Sequence, residues 1–310
     1  MEKQEFSFLS ADGKTSIHAA VWIPAVPVRA IVEVSHGVSE HILRYESLAA
    51  YLTERGFAVI GHDHLGHGSS VIPGAPRLYL GPPGSWETAT RDLDTCRRLA
   101  RERFGRLPLF LLGHSMGSFL ARTYLIRYPG TVDGAILVGT GQISPAVLAA
   151  GSALARAECR RLGETQISPL VERLAFGPYN KPFSPARTPY DWLSLDPSNV
   201  DAYLADPLCG GIPTVGLFRE LLYGLRLIRD PQALRSMNLA TPVLFLSGAM
   251  DPVGSCGRGV QAAFRSFRRA GVRDVSLRLY PQLRHEILNE ASREDVYQDL
   301  CQWLECHLDA

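Results

Sequence analysis

The chain has 310 residues, 46% of them hydrophobic and 20% charged, with a formal net charge of +1. That is the composition of an ordinary globular protein, long enough for one large α/β domain or two smaller ones, and so small a net charge argues against nucleic acid as the main partner. The six cysteines (Cys96, Cys159, Cys209, Cys256, Cys301 and Cys306) never fall in Cys-x-x-Cys spacing, so they read as free thiols in a reducing compartment and not as a disulfide frame or a zinc site.

The opening residues lack the basic-then-apolar layout of a secretory signal, and no apolar run approaches a membrane span, so a cytoplasmic location is expected. Strand-like runs at 5–9 and 16–23 flank Ala11-Asp12-Gly13-Lys14, a hairpin signal. Residues 30–35 read as a strand that ends at His36-Gly37-Val38-Ser39-Glu40-His41. Helical spacing over 43–55 stops at Gly56, a C-terminal cap. The next strand, 57–61, empties into a Gly-rich loop at 62–69, and 86–104 is a long helix. An apolar run at 107–112 leads through Gly113-His114-Ser115-Met116-Gly117 into a helix that ends at Tyr128-Pro129-Gly130. Another strand spans 134–139.

Strands alternating with helices predict a mostly parallel, twisted sheet with helices on both faces. Ligands bind such sheets outside the carboxyl ends of the strands, which places the 36–41 loop, the 62–69 loop and Ser115 on one rim. From 142 to 235 the alternation stops. Ten prolines and scattered aromatics take its place, and a structureless stretch of that length inside a compact domain is improbable. The expected organisation is therefore a core of residues 1–141 and 236–310, with 142–235 inserted as a helical lid or cap. The sheet resumes with strands at 242–248 and 275–280, a helix at 260–270 between them, and a closing amphipathic helix at 295–308.

Gly-x-Ser-x-Gly between a strand and a helix is the setting of a nucleophile elbow, where glycines at 113 and 117 let neighbouring backbone approach. A serine hydroxyl needs a base to take its proton, and the base needs an acid to fix its tautomer. In this kind of sheet the chain order is Ser, acid, His. Ser115, Asp251 and His285 follow it, each just past a strand; Asp63 is the rival acid, and His36 and His41 precede the nucleophile. Two backbone donors are expected for the oxyanion, the N–H groups of Met116 and Val38. His36 reads as a brace for that loop. The His62-Asp63-His64-Leu65-Gly66-His67 run has Gly66 where a binuclear zinc pattern needs Asp, so no metal and no other cofactor is expected. Asp63 reads as a turn stabiliser, the histidines as polar loop residues, Cys256 as a buried packing thiol, and Arg265, Arg268, Arg269 and Arg273 as a solvated helix face.

With these residues assembled, the chain resembles the lysophospholipase and monoacylglycerol lipase group of the α/β-hydrolase superfamily. The resembling segments are His36 to His41 with Arg44-Tyr45, Asp63-His64-Leu65-Gly66-His67-Gly68, the elbow, Asp251-Pro252-Val253, and Arg284 to Glu290. Ala202-Tyr203-Leu204-Ala205-Asp206-Pro207-Leu208 resembles the group's cap signature. One departure is Ser39, where the group usually has glycine. The resemblance implies an α/β-hydrolase fold and a serine hydrolase that cleaves carboxylic esters through an acyl-enzyme. Ser115, Asp251 and His285 would form its triad, and Val38 and Met116 its oxyanion hole. A small-molecule or lipid ester is the expected partner, with transient contact between the lid and a membrane surface. The alternatives are a thioesterase or peptidase with the same triad, and a non-catalytic ligand-binding member; a dehalogenase or epoxide hydrolase would want a carboxylate in place of Ser115.

Overall fold

The computed structural model describes residues 1–308. Eight strands form one sheet: β1 (Glu2–Leu9), β2 (Ser16–Ile23), β3 (Ala30–Ser35), β4 (Phe57–His62), β5 (Leu109–His114), β6 (Gly134–Val138), β7 (Val243–Gly248) and β8 (Val275–Tyr280). Their order is β1-β2-β4-β3-β5-β6-β7-β8. β1 and β2 form the predicted hairpin, β2 runs antiparallel to β4, and every pairing from β4 to β8 is parallel. The hairpin turn is held by Asp12, whose carboxylate accepts from the backbone of Lys14 and Thr15 (2.8 Å each).

β3, β4, β5, β6 and β7 are buried along their whole length, which is why they read as continuous apolar runs and not as alternating ones. Alternation persists in which face each residue serves. Ile31, Leu111 and Leu137 pack into one core, with α2 (Ser85–Phe104), α3 (Met116–Arg127) and α9 (Arg258–Ala270). Val32, Leu112 and Ile136 pack into the other, with α1 (Glu46–Thr53) and α10 (Arg293–Cys306). Glu33 interrupts the apolar sequence of β3; burial pushes its carboxyl well above the ordinary range.

Between β6 and β7 the chain forms α4 (Pro145–Leu162), α5 (Pro169–Ala175), α6 (Pro197–Ala205), α7 (Val215–Leu227) and α8 (Pro231–Arg235). Four of the prolines in this segment therefore start helices. Ser144, Ser168, Asp196 and Asp230 cap them with a side-chain oxygen, and Thr214 does the same for α7. Pro costs nothing at a position whose N–H has no partner in any case. α4 lies along α7, which rests on α2 and α3. The rest of the segment packs in two small clusters of its own, around Val171, Val215 and Phe218 and around Trp192, Leu193 and Tyr203. The predicted helix at 43–55 opens as a 3₁₀ turn, Ile42–Tyr45, before α1 begins.

Candidate active site

Ser115 sits between β5 and α3 with φ 51° and ψ −120°, a conformation that L residues rarely adopt. Its neighbours allow the sharp turn. A Cβ on Gly113 would strike the backbone of Gly117, and one on Gly117 would strike the carbonyl of Ser35. The Ser115 N–H donates to Val138 O (3.0 Å), and its carbonyl accepts from Ser118 Oγ (2.6 Å). The strained residue is thus fixed from both sides.

Asp251, three residues past β7, is fully buried. One carboxylate oxygen accepts from the Val253 N–H (2.8 Å) and the other faces His285 Nδ1 at 2.9 Å. An ionised carboxylate only accepts, so Nδ1 carries the proton and Nε2 is left as the basic nitrogen. His285 lies between the rings of His114 (centroids 4.8 Å apart) and Trp192 (5.1 Å). Gly139 at the end of β6 makes room for it, since a Cβ there would stand 3.1 Å from His285 Cε1. Ser115 and His285 line one cavity, together with Val38 and residues of the inserted segment. The Ser115 hydroxyl makes no hydrogen bond to a described residue; such contacts often tighten only when substrate arrives.

The loop after β3 passes over the elbow: a Cβ on Gly37 would come within 3.2 Å of Ser115 Cβ. His36 braces it as expected, donating from Nδ1 to Gly37 O (2.7 Å) and accepting at Nε2 from the His64 N–H (2.9 Å). Neither the Val38 nor the Met116 amide has a hydrogen-bond partner among the described residues. Met116 opens α3, where the first N–H groups have no intrahelical acceptor. Ser39 has φ 59°, left-handed backbone that favours glycine. This is the physical reason the departure at this position matters. The Ser39 carbonyl accepts from the Gly210 N–H (2.9 Å) and from the Tyr203 hydroxyl (3.0 Å), both in the inserted segment.

Sequence reasoning missed a buried charge network behind this loop. Glu40 accepts from the Gly37 N–H (2.5 Å), Tyr45 Oη (3.0 Å), His114 Nδ1 (3.1 Å) and Arg44 (2.7 Å). Arg44 also grips Glu286 with two bonds (2.7 and 2.8 Å), and Asn199 of α6 donates to the same carboxylate (2.8 Å). Burial would push Glu40 up, but His114 and Arg44 hold it well below the usual carboxylate range. Burial would push His114 down, yet Glu40 raises it. The ring of the residue before Ser115 is thereby held as a donor. The available signal was four charged or tautomeric residues inside the motif segments 36–45, 113–117 and 284–290.

Two expectations are corrected. The histidines at 62, 64 and 67, read as polar loop residues, are fully buried, as is His36, with the His36 and His64 rings 4.2 Å apart and the His62 and His64 rings 5.2 Å apart. Burial pushes His62 and His67 down to about 3, so they are neutral. A Gly-rich loop that folds under the rim takes its polar residues with it. Cys256 is exposed, not a buried packing thiol, because the turn after Asp251 uses its N–H (to Asp251 O, 2.8 Å) and leaves the thiol outside. Asp63 stabilises the turn, accepting from Ile42 N (2.9 Å), Ser69 N (2.8 Å) and His18 Nδ1 (3.0 Å). Arg265, Arg268, Arg269 and Arg273 are exposed. Among the described residues two groups bring three metal-ligating atoms within 4.8 Å of one another, Glu33 with His62 and Cys96, and His41 with Asp206 and Cys209. Neither includes Ser115, Asp251 or His285.

The sequence profile of the family described as serine aminopeptidase, S33, matches residues 26–292. A monoacylglycerol lipase of Mycolicibacterium smegmatis is 32% identical over 99% of this chain and 98% of its own length. A monoglyceride lipase of Homo sapiens is 28% identical over 96% and 88%. Among solved structures, a thermostable carboxyl esterase from Bacillus coagulans, in complex with glycerol, superposes with a TM-score of 0.92 at 28% identity, covering 99% of each chain.

Proposed function

From the premise that the chain belongs to the serine aminopeptidase S33 family of α/β-hydrolases, we propose that it hydrolyses carboxylic esters by means of Ser115, Asp251 and His285. It is a serine ester hydrolase. The relatives are named for ester cleavage, which favours esters over thioesters and amides as substrates. His285 Nε2 removes the Ser115 proton as the oxygen attacks the ester carbonyl. The negative oxygen settles on the Val38 and Met116 N–H groups. His285 then protonates the departing alcohol, and water repeats the sequence on the acyl-enzyme. The observation that carries this reading is the 2.9 Å contact between His285 and buried Asp251, on the rim it shares with Ser115.

Residues 142–235 act in this reading as a cap that selects the ester. Glycerol monoesters and lysophospholipids are the proposed class, on the names of the relatives and the glycerol bound to the similar esterase. The cavity holds about 100 Å³, below the roughly 300–1,000 Å³ of sites for drug-sized ligands. Long chains therefore reach beyond it, through its open side or under a displaced cap. Val147, Ile167, Leu170 and Leu174 are exposed on and between α4 and α5, a surface suited to transient contact with a lipid interface. A cytoplasmic setting is proposed from the six free cysteines; no helix among the described residues is long and apolar enough to cross a membrane.

Fluorophosphonate labelling of the protein and of Ser115→Ala tests the nucleophile: an adduct is expected on Ser115 alone, and an unlabelled wild-type serine defeats the reading. A 4-nitrophenyl ester series from acetate to palmitate then reads the cavity's depth. The small cavity predicts a maximum at short chains, and a maximum at palmitate would show that the acyl chain extends beyond it.

A further inference from the structure

One group in the cavity has no part in the ester chemistry. Glu172, in the first turn of α5, lines the cavity that Ser115 and His285 also line. Its carboxylate has no hydrogen bond or ion pair with a described residue. The other two carboxylates of the lining are engaged, Glu40 by Gly37, Tyr45, His114 and Arg44, and Glu286 by Arg44 and Asn199. No lysine or arginine lines the cavity. Phe176, Tyr190 and Trp192 do. One carboxylate without a partner therefore shares the cavity with three aromatic side chains. Tyr190 responds to it: burial and the Glu172 charge push its phenol up, against the hydrogen bond from Gly211.

Resting on the ester-hydrolase reading, we propose that Glu172, with Phe176, Tyr190 and Trp192, recognises a quaternary ammonium group carried close to the scissile ester bond. Aromatic faces attract a cation through their quadrupole, and a carboxylate adds a full charge. A quaternary ammonium has no N–H and asks for no acceptor. A primary ammonium brings three donors, and this cavity offers only one free carboxylate to meet them. The volume of about 100 Å³ suits a compact head held near the carbonyl. The same charge disfavours anionic esters and helps expel the carboxylate product.

The ammonium can belong to the alcohol or to the acyl part, and two isosteric pairs separate these sources. Butyrylcholine is compared with 3,3-dimethylbutyl butyrate, and ethyl betaine with ethyl 3,3-dimethylbutanoate. In each pair a trimethylammonium is exchanged for a tert-butyl group of the same shape. The ratio of kcat/KM, cation over neutral, is measured for wild type and for Glu172→Gln. Wild type is expected to exceed the variant by about tenfold in this ratio for at least one pair, the size of a partly desolvated cation–aromatic and charge contact. The responding pair shows which half of the ester carries the ammonium. Ratios that agree between the two proteins for both pairs overturn the proposal and leave the ester reading intact. Failure of the neutral esters and of fluorophosphonate labelling together would overturn the ester reading itself.

Discussion

The rim of the sheet and the segment that covers it are held by opposite means. On the rim, position is imposed by backbone that has no other place to go. Ser115 is pinned between Val138 and Ser118, glycines at 37, 113 and 117 admit no side chain, and Asp251 is closed in by its own turn. The cover joins the main core through Leu148, Leu217 and Leu225 but packs the rest of its apolar residues in small separate clusters, and it reaches the rim through a few hydrogen bonds. Tyr203 and Gly210 bond to Ser39 O, the Glu286 N–H donates to Leu193 O (2.7 Å), and Arg284 reaches the carbonyls of Asp191 and Ser194. Glu290 holds Ser194 Oγ (2.7 Å) and the Leu195 N–H (3.0 Å). Each of these tethers lands on the loop that carries Val38 or on the loop that carries His285. The difference teaches that any shift of the cover is felt first by the loop that carries Val38 and the loop that carries His285.

The largest effect expected separates these two regions by turnover. Asp251→Asn leaves a group that can still accept from Val253 but can donate to His285 Nδ1, which favours the wrong tautomer. A loss of about 10⁴ in kcat is expected, as for the same change in other triads, with the melting temperature close to wild type. Steady-state kinetics on a 4-nitrophenyl ester and circular dichroism check both halves. A loss under tenfold would mean that the acid on the rim does not hold the base, and the contrast would lose its chemical side.

A second effect concerns the ground beneath the rim. His62 and His67 are pushed down to about 3 by burial, whereas an unfolded histidine titrates near 6.5. Below about 6.5 the unfolded state therefore binds more protons, and stability falls with pH, by about 1.4 kcal/mol per unit for each histidine. His18 has the opposite sign. Its hydrogen bond to Asp63 raises it to about 9, so its contribution is complete below about 6.5 and is lost as pH rises through 9. Melting temperature should peak near pH 6.5 and fall more steeply on the acid side, already between 6.5 and 5, above the range where carboxylates titrate. Neither ring nitrogen of His62 has a hydrogen-bond partner among the described residues, so His62→Phe removes one proton from the balance without leaving a bond unmade. It should flatten the acid limb. An acid limb already flat in wild type would show that the cluster takes up protons while folded.

What could be read from the sequence divides along the same line. Ser115, Asp251 and His285 were legible because a strand end, a turn and a fixed chain order are local signals, and the sheet does the rest. The hairpin was legible from Asp12-Gly13, and the central strands from unbroken apolar runs. Glu40, Arg44, His114 and Glu286 were not, since a charged residue in a loop defaults to solvent and only the fold reveals that four such residues satisfy one another. The burial of the histidines at 62, 64 and 67 was illegible for the same reason. In the cover, the prolines at 145, 169, 197 and 231 start helices, and a Pro residue that starts a helix looks the same as one that breaks it until the cap before it is recognised. Glu172 carried no sequence signal; it draws notice only because the cover places it on the cavity that Ser115 lines.

The smallest effect lies at the seam between the two regions. Ser39 keeps a left-handed backbone at φ 59°, which costs a non-glycine residue about 1–2 kcal/mol. Its hydroxyl gives little in return, a long 3.5 Å contact to Gly211 O. The two firm tethers at this point use the Ser39 carbonyl, and glycine keeps that carbonyl. Part of the gain from relaxing φ is offset by the greater freedom of glycine in the unfolded chain. Ser39→Gly should therefore stabilise the protein by about 1 kcal/mol or less, a rise of about 2 °C in Tm for a domain of this size, with KM for short esters unchanged. A scanning calorimetry trace and one kinetic titration decide it. If Tm falls and KM rises together, the hydroxyl is itself a strap between rim and cover, and the cover is held more tightly than single backbone bonds imply.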